Sequence, residues 1–192
     1  LVKKTYEYAK KELPEKIFNH SMHVYYYGAA IVNTHFPHMS SMLETYFLTC
    51  LLHNIGTSDT NLSGTRMSFE FYGAYKALKF LTQNEAPKDQ AEAIAEAIIR
   101  HADLGDTGTI TSLGQLIQLS TVFDNVGLNA HLVHADTIAS VVAAFPRNKW
   151  SPAFAACMRE EMALKPWCHT TANEDNGLCA DVEKNWAMEP YE

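Results

Sequence analysis

The chain has 192 residues, of which 47% are apolar, and a formal charge of −7. That is long enough for a sizeable core and too apolar for a disordered chain. The negative balance argues against a nucleic-acid partner, and no apolar run approaches the roughly 20 residues of a membrane span, so no membrane partner is expected either.

The opening stretch LVKKTYEYAKKEL reads as a charged amphipathic helix without the apolar centre of a signal peptide. It has no initiator Met, so further residues are expected upstream. After Pro14, the spacing of Phe18, Met22, Tyr25, Tyr26, Ala29 and Val32 predicts a helix that stops near His35-Phe36-Pro37. Met42 to His53 is a second helix, with Leu43, Tyr46, Phe47, Cys50 and Leu51 inward. Ser68 to Thr82 follows, with Phe69, Tyr72, Tyr75, Ala77, Leu78 and Leu81 as its apolar set. Asp89 opens AEAIAEAIIRH, which is rich in strong helix formers. Thr111 or Ser112 can cap the next helix, which Gly127 ends. Weaker helices are expected at His134–Phe145 and Trp150–Glu161, and the tail from Trp167 on reads as loop-rich. With no repeats and no alternating strand runs, the fold class is all-α. Cys50, Cys157, Cys168 and Cys179 form no CxxC pair, which suits a reducing, cytoplasmic location.

Few residues in this pattern suggest chemistry. Asp124 is in phase with Leu113, Leu116, Ile117, Ser120 and Thr121, and a carboxylate on an apolar stripe is costly unless it is paired or bound to metal. A plain alternative is that it meets an Arg or water at the helix end. His101 follows Ile94 and Ile98 on a buried face, where a lone histidine is usually a hydrogen-bonded core residue. His20 and His23 share the tyrosine-rich helix, and periodicity does not choose between them. His53 and Asn54 stand where an apolar helix breaks, so both can reach one ion. One histidine from the first long helix with His53, Asn54 and Asp124 is a ligand set that suits zinc, iron or manganese.

The sequence resembles the HD-domain metalloenzymes, whose H…HD…D pattern is matched by NHS at 19–21, LLHN at 51–54 and FDNVG at 123–127. It is more closely similar to the cyanamide hydratases of fungi, through NHSMHV, TCLLHNIGT, TRMSFEFYG, EAIIRHADL, TSLGQLIQLSTVFDNVG, AFPR and KPWCHTT. The likeness implies a single HD-domain helical bundle over residues 1–192, with its core at about 15–165. It also implies that the first ligand is His20, with His23 as its neighbour. The implied metal set is His20, His53, Asn54 and Asp124 around one divalent ion, with zinc favoured over iron or manganese.

The implied reaction is hydration of cyanamide to urea by a metal-activated water. His101 is then the candidate to donate a proton or hold the substrate amine. Thr121, and more weakly Thr57, are candidates to bind the substrate, although Thr57 could simply cap the broken helix. Tyr27, Phe69 and Tyr72 are candidate walls, with plain core the simpler reading. Asn54 stands where the family pattern has Asp, and an amide is a weaker, uncharged ligand that cannot accept a proton from water. Asn54 is therefore a candidate catalytic position at which activity is impaired. Two other functions stay open: a nucleotide phosphohydrolase of HD type, and an inactive metal-binding homologue. A homo-oligomer is compatible with the sequence. A Cys168–His169 nucleophile has no visible orienting third group, so a structural role is expected there.

Overall fold

The computed structural model describes residues 1–104 and 108–192. Its helices are α1 (Val2–Glu12), α2 (Glu15–His35), α3 (Leu43–Leu52), α4 (Asp59–Ser63), α5 (Phe69–Gln83) and α6 (Lys88–Arg100). They continue with α7 (Ser112–Val126), α8 (Ala135–Ala144), α9 (Trp150–Leu164), α10 (Thr170–Glu174) and α11 (Leu178–Glu183). Short 3-10 turns lie between them, and no strand forms among the described residues. The fold is all-α.

The main core fills the space between α1, α2, α3, α5, α6, α7 and α8, with Tyr27, Tyr46, Ile94, Ile98 and Phe123 fully buried. A smaller apolar cluster joins Leu62 and Phe69 to Trp150, Phe154 and Met158 on α9 and to Cys179 and Val182 on α11. On α5 the inward set is Phe69, Gly73, Ala74, Ala77 and Leu81. Tyr75, expected inward, is 55% exposed. The small residues let α5 approach its neighbours closely, and Tyr75 falls about 100° from that stripe.

Two glycines fix the segments that carry the site. Gly56 lies in the 3-10 turn Ile55–Thr57, and a Cβ there would run into the backbone carbonyl of Phe69. The turn after His53 therefore packs directly on the start of α5. Gly127 ends α7 at φ +76°, a left-handed conformation that favours glycine. At the other end of α7, the Thr111 hydroxyl accepts the Gly114 N–H at 3.0 Å, as a capping residue should. These boundaries leave Asp124 in the last turn of α7, facing α2.

The tail departs from the loop-rich expectation. It forms α10 and α11 because its polar groups find buried partners. The Thr170 hydroxyl donates to Glu161 Oε2 at 2.5 Å, and Asn173 Nδ2 donates to the Ala102 carbonyl at 3.0 Å.

Candidate functional site

Four helices meet at one buried polar centre. His20 and His23 come from α2, His53 from the C-terminal cap of α3, and Asp124 from α7; all four are 0% exposed. His101 caps α6 and is 7% exposed. The His53 ring centroid lies 5.2 Å from that of His20 and 5.2 Å from that of His101, so His53 stands between the other two.

Hydrogen bonds set the tautomers of these rings. His53 Nδ1–H donates to the Cys50 carbonyl at 2.7 Å, and His101 Nδ1–H donates to the Ile98 carbonyl at 2.6 Å. His20 Nδ1–H donates to Asp124 Oδ2 at 2.5 Å. Burial lowers the pKa of all three: His53 well below its usual value, His101 to about 4, and His20 despite the opposing pull of Asp124. The rings are therefore neutral at pH 7, with a lone pair at each Nε2. The Nε2 atoms of His20 and His53 are 3.3 Å apart, and neither has a proton to give the other.

Such a contact is unfavourable unless a cation sits between the lone pairs. Two nitrogens bound to one zinc at roughly 2.0–2.1 Å with tetrahedral angles stand about 3.3–3.4 Å apart. The observed separation matches. Asn54 follows His53 in the chain, is 2% exposed, and leaves its Oδ1 buried without a hydrogen-bond partner. An orphaned buried oxygen on the residue next to His53, with two free imidazole nitrogens in contact, supplies donors suited to an ion site. His20, His53 and Asn54 thus fit a divalent ion.

Asp124 is placed differently from the expected ligand. Its Oδ2 accepts from His20 Nδ1 and lies 3.3 Å from His23 Nδ1, and its Oδ1 accepts from Arg147 Nη1 at 2.5 Å. Both oxygens are thus engaged by hydrogen-bonding or charged partners. Consistent with this, no three His, Cys, Asp or Glu side chains converge to hold a metal among the described residues. Burial pushes the Asp124 carboxyl up, but Arg147, His23 and the His20 hydrogen bond outweigh it and hold it well below the usual carboxylate range. The plain reading of Asp124, an aspartate meeting an arginine, is part of the arrangement. His23 completes it by donating Nε2–H to the Phe145 carbonyl at 2.6 Å.

Sequence reasoning did not assign Arg147 or Trp150 a place here. Arg147 is 1% exposed and also donates to the Asp124 carbonyl, Ser151 Oγ and Glu192 Oε1. A buried carboxylate demands a cation, and AFPR, the segment before α9, supplies it. Trp150 stacks on the His20 ring at 4.2 Å and 14°. Its Nε1–H donates to Asn125 Oδ1 at 2.8 Å, which fixes the indole.

A cavity of about 50 Å³ adjoins His101 and is lined also by Thr121, Phe69, Phe154, Met158 and neighbours. The Thr121 hydroxyl donates to the Ile117 and Gln118 carbonyls, so toward the cavity it offers only lone pairs. Thr57 does not line this space; its hydroxyl donates to the Asn54 carbonyl at 2.8 Å and closes the turn. Of the candidate aromatic walls, only Phe69 lines the cavity. Tyr27 is core against Phe123, and Tyr72 lies beside Tyr75 on the outer part of α5. A larger cavity of about 910 Å³ shares Ala102, Leu104, Val122, Val126, Asn173 and Leu178 with the small one.

Elsewhere, His169 finds the orienting group that the sequence did not reveal: its Nδ1 lies 2.7 Å from the buried Glu70. Burial pushes the Cys168 thiol up, away from the thiolate that a nucleophile needs. His35, His38, His131 and His134 are exposed, as expected. No helix among the described residues is long and apolar enough to cross a membrane.

The HD domain family matches residues 17–126, the span from the start of α2 to the end of α7. Two Saccharomyces cerevisiae proteins, cyanamide hydratase DDI2 and cyanamide hydratase DDI3, are each 43% identical to this chain over 171 residues, 88% of this chain and 76% of the relative. The buried H…HN…D centre lies inside the matched span, and the chain belongs to the HD-domain family, in the group of the yeast cyanamide hydratases.

Proposed function

We propose that this chain is a metal-dependent hydratase that adds water across the nitrile of cyanamide to give urea, with the rate limited by Asn54. The observation that carries the reading is the 3.3 Å approach of two unprotonated imidazole nitrogens, with the orphaned oxygen of Asn54 on the residue that follows His53. A divalent ion at that point, which we assign as zinc, would supply the Lewis acidity that activates water and polarises the nitrile. His20 and His53 would hold it, with Asn54 as the neutral third donor. Asp124 orients His20 by accepting its Nδ1–H, as carboxylates do for metal-bound imidazoles, and Arg147 holds Asp124 in turn.

The remaining residues bind and position the substrate. His101, with its pKa near 4, is not a resting proton donor at neutral pH; its Nε2 accepts from the substrate amine. The Thr121 oxygen accepts a second amine hydrogen. The cavity of about 50 Å³ suits a substrate of three heavy atoms, whereas drug-sized ligands occupy roughly 300–1,000 Å³. Asn54 can bind an ion through its amide oxygen but cannot take a proton from the attacking water, which is where activity is lost.

A nucleotide phosphohydrolase needs free cations for phosphate oxygens. Arg100 is paired with Asp103 at 3.0 Å, Arg147 is spent on Asp124, and Arg66 lies over the Trp167 ring. We take residues 1–192 as one working unit, because α9 and the tail wall the cavity built on α6 and α7. The four free thiols suit the cytoplasm, and a small-molecule substrate needs neither membrane nor nucleic acid. Incubation with cyanamide should release urea, and a nucleotide panel should release no phosphate. Phosphate without urea would replace the hydratase reading with the phosphohydrolase one.

A further inference from the structure

The cavity of about 50 Å³ at His101 is rich in acceptors and short of donors. His101 spends its Nδ1–H on the Ile98 carbonyl, and Thr121 spends its hydroxyl proton on the Ile117 carbonyl. Thr170, a further wall residue, gives its hydroxyl proton to Glu161 Oε2 at 2.5 Å. Asn173 donates Nδ2–H to the Ala102 carbonyl and lines the larger cavity as well. Asn125 is the exception. It lines the small cavity from the last turn of α7, one turn after Thr121, and among the described residues its amino group meets no acceptor. The direction of its amide is fixed. An indole N–H is a donor only, so the 2.8 Å contact with Trp150 Nε1 is made by the amide oxygen. Trp150 stacks on His20 and does not line the cavity. The oxygen of Asn125 is therefore committed outside the cavity, and Nδ2 is the polar atom left for it.

We infer that Asn125 is a catalytic residue whose Nδ2 amino group donates a hydrogen bond to the nitrile nitrogen of cyanamide and stabilises the negative charge that builds there. The inference rests on the hydratase reading. With the amine end held by His101 and Thr121, a linear substrate carries its nitrile nitrogen at the opposite end. Thr121 and Asn125 are four apart on α7 and share a face, so one can hold each end. In the addition, the water oxygen bonds to the nitrile carbon and one C≡N π pair moves onto nitrogen. The proton that water loses ends on that nitrogen, giving isourea, the tautomer of urea. The amide gives up no proton; it holds the charge until the proton arrives. An anionic imine nitrogen has two lone pairs, so this bond adds to the polarisation that a bound ion supplies. A donor already fixed in place needs no reorganisation as the charge forms, which is the source of its effect.

The test is urea release from cyanamide by this chain, by Asn125→Asp and by Asn125→Leu at matched metal occupancy, each repeated alongside Asn54→Asp for faster turnover. Aspartate keeps an oxygen for Trp150 and loses the donor, whereas leucine loses both without adding a charge. Either change should lower kcat by ~10²–10³-fold, the loss that follows removal of one donor to a developing anion. KM should move little, because the bond strengthens only as the charge forms. An unchanged kcat in a folded variant overturns the inference, and so does a loss confined to KM. If one variant does not fold, the other decides by the same criteria. Urea from the parent with no effect at Asn125 removes this inference alone. If no protein releases urea, with Asn54→Asp included, the hydratase reading fails and the inference falls with it.

Discussion

Arg147→Met removes the only guanidinium in contact with Asp124 among the described residues while keeping most of the buried side-chain volume. Arg147 is 1% exposed and gives Asp124 two hydrogen bonds, one to Oδ1 at 2.5 Å and one to the main-chain carbonyl at 3.1 Å. Its loss leaves a fully buried carboxylate supported by imidazoles alone. Breaking one side of a buried pair costs about 3–5 kcal/mol, against a total stability of about 5–15 kcal/mol for a domain. Denaturant titration should show that loss as a shift of the midpoint with little change in slope. Adding Asp124→Asn should restore part of it, since the uncompensated charge then disappears, so the double variant should be more stable than the sum of the single ones. A loss below about 1 kcal/mol for Arg147→Met, or strict additivity, would refute the view that Arg147 neutralises Asp124.

His101→Ala, made alongside Asn54→Asp so that turnover is measurable, should cut urea release by ~10²-fold or more with metal content unchanged; equal loss of both would make His101 a ligand. The three buried neutral histidines give a signed pH dependence in metal-free protein. Their folded pKa values lie below the unfolded value, so between the two the unfolded chain binds more protons and stability falls as the pH drops. For His101 the window runs from about 6.5 down to about 4, at up to ~1.4 kcal/mol per pH unit. A denaturation midpoint that stays flat from pH 7 to pH 5 would mean that the rings are not held neutral. Replacing Thr121 with Val should raise the KM for cyanamide several-fold while leaving metal content and kcat nearly intact, because only an acceptor to the amine is lost.

What was legible in the sequence followed from periodicity and from the expense of buried charge. The helix boundaries at Pro14, Thr111 and Gly127 appear where cap and breaker chemistry put them. His53 and Asp124 are visible as polar residues on inward faces, whereas the choice of His20 over His23 comes only from the resemblance; the fold buries all of them. The orientation of Asp124 was not legible, because helical phase fixes the direction of a Cβ and not which oxygen meets which partner. Arg147 stands in a turn between two helices, where no period marks it as buried. Nothing in the sequence singles out Trp150 or Phe154, because their stacking on His20 is a tertiary contact more than a hundred residues away in the chain. The tail was read as loop because its helices are one or two turns long and held by side-chain bonds to Glu161 and Ala102.

The central claim is a hydratase site that lacks one carboxylate, and urea release from cyanamide by this chain and by Asn54→Asp, at matched metal occupancy, tests it most directly. Asn and Asp have nearly the same size, and Asn54 Oδ1 makes no hydrogen bond that the swap would break. The fold should therefore be unchanged, and a carboxylate able to take the water's proton should raise the rate by ~10²–10⁴-fold. Equal rates for the two proteins would show that the carboxylate is dispensable, and an absence of urea from both would contradict the hydratase reading itself.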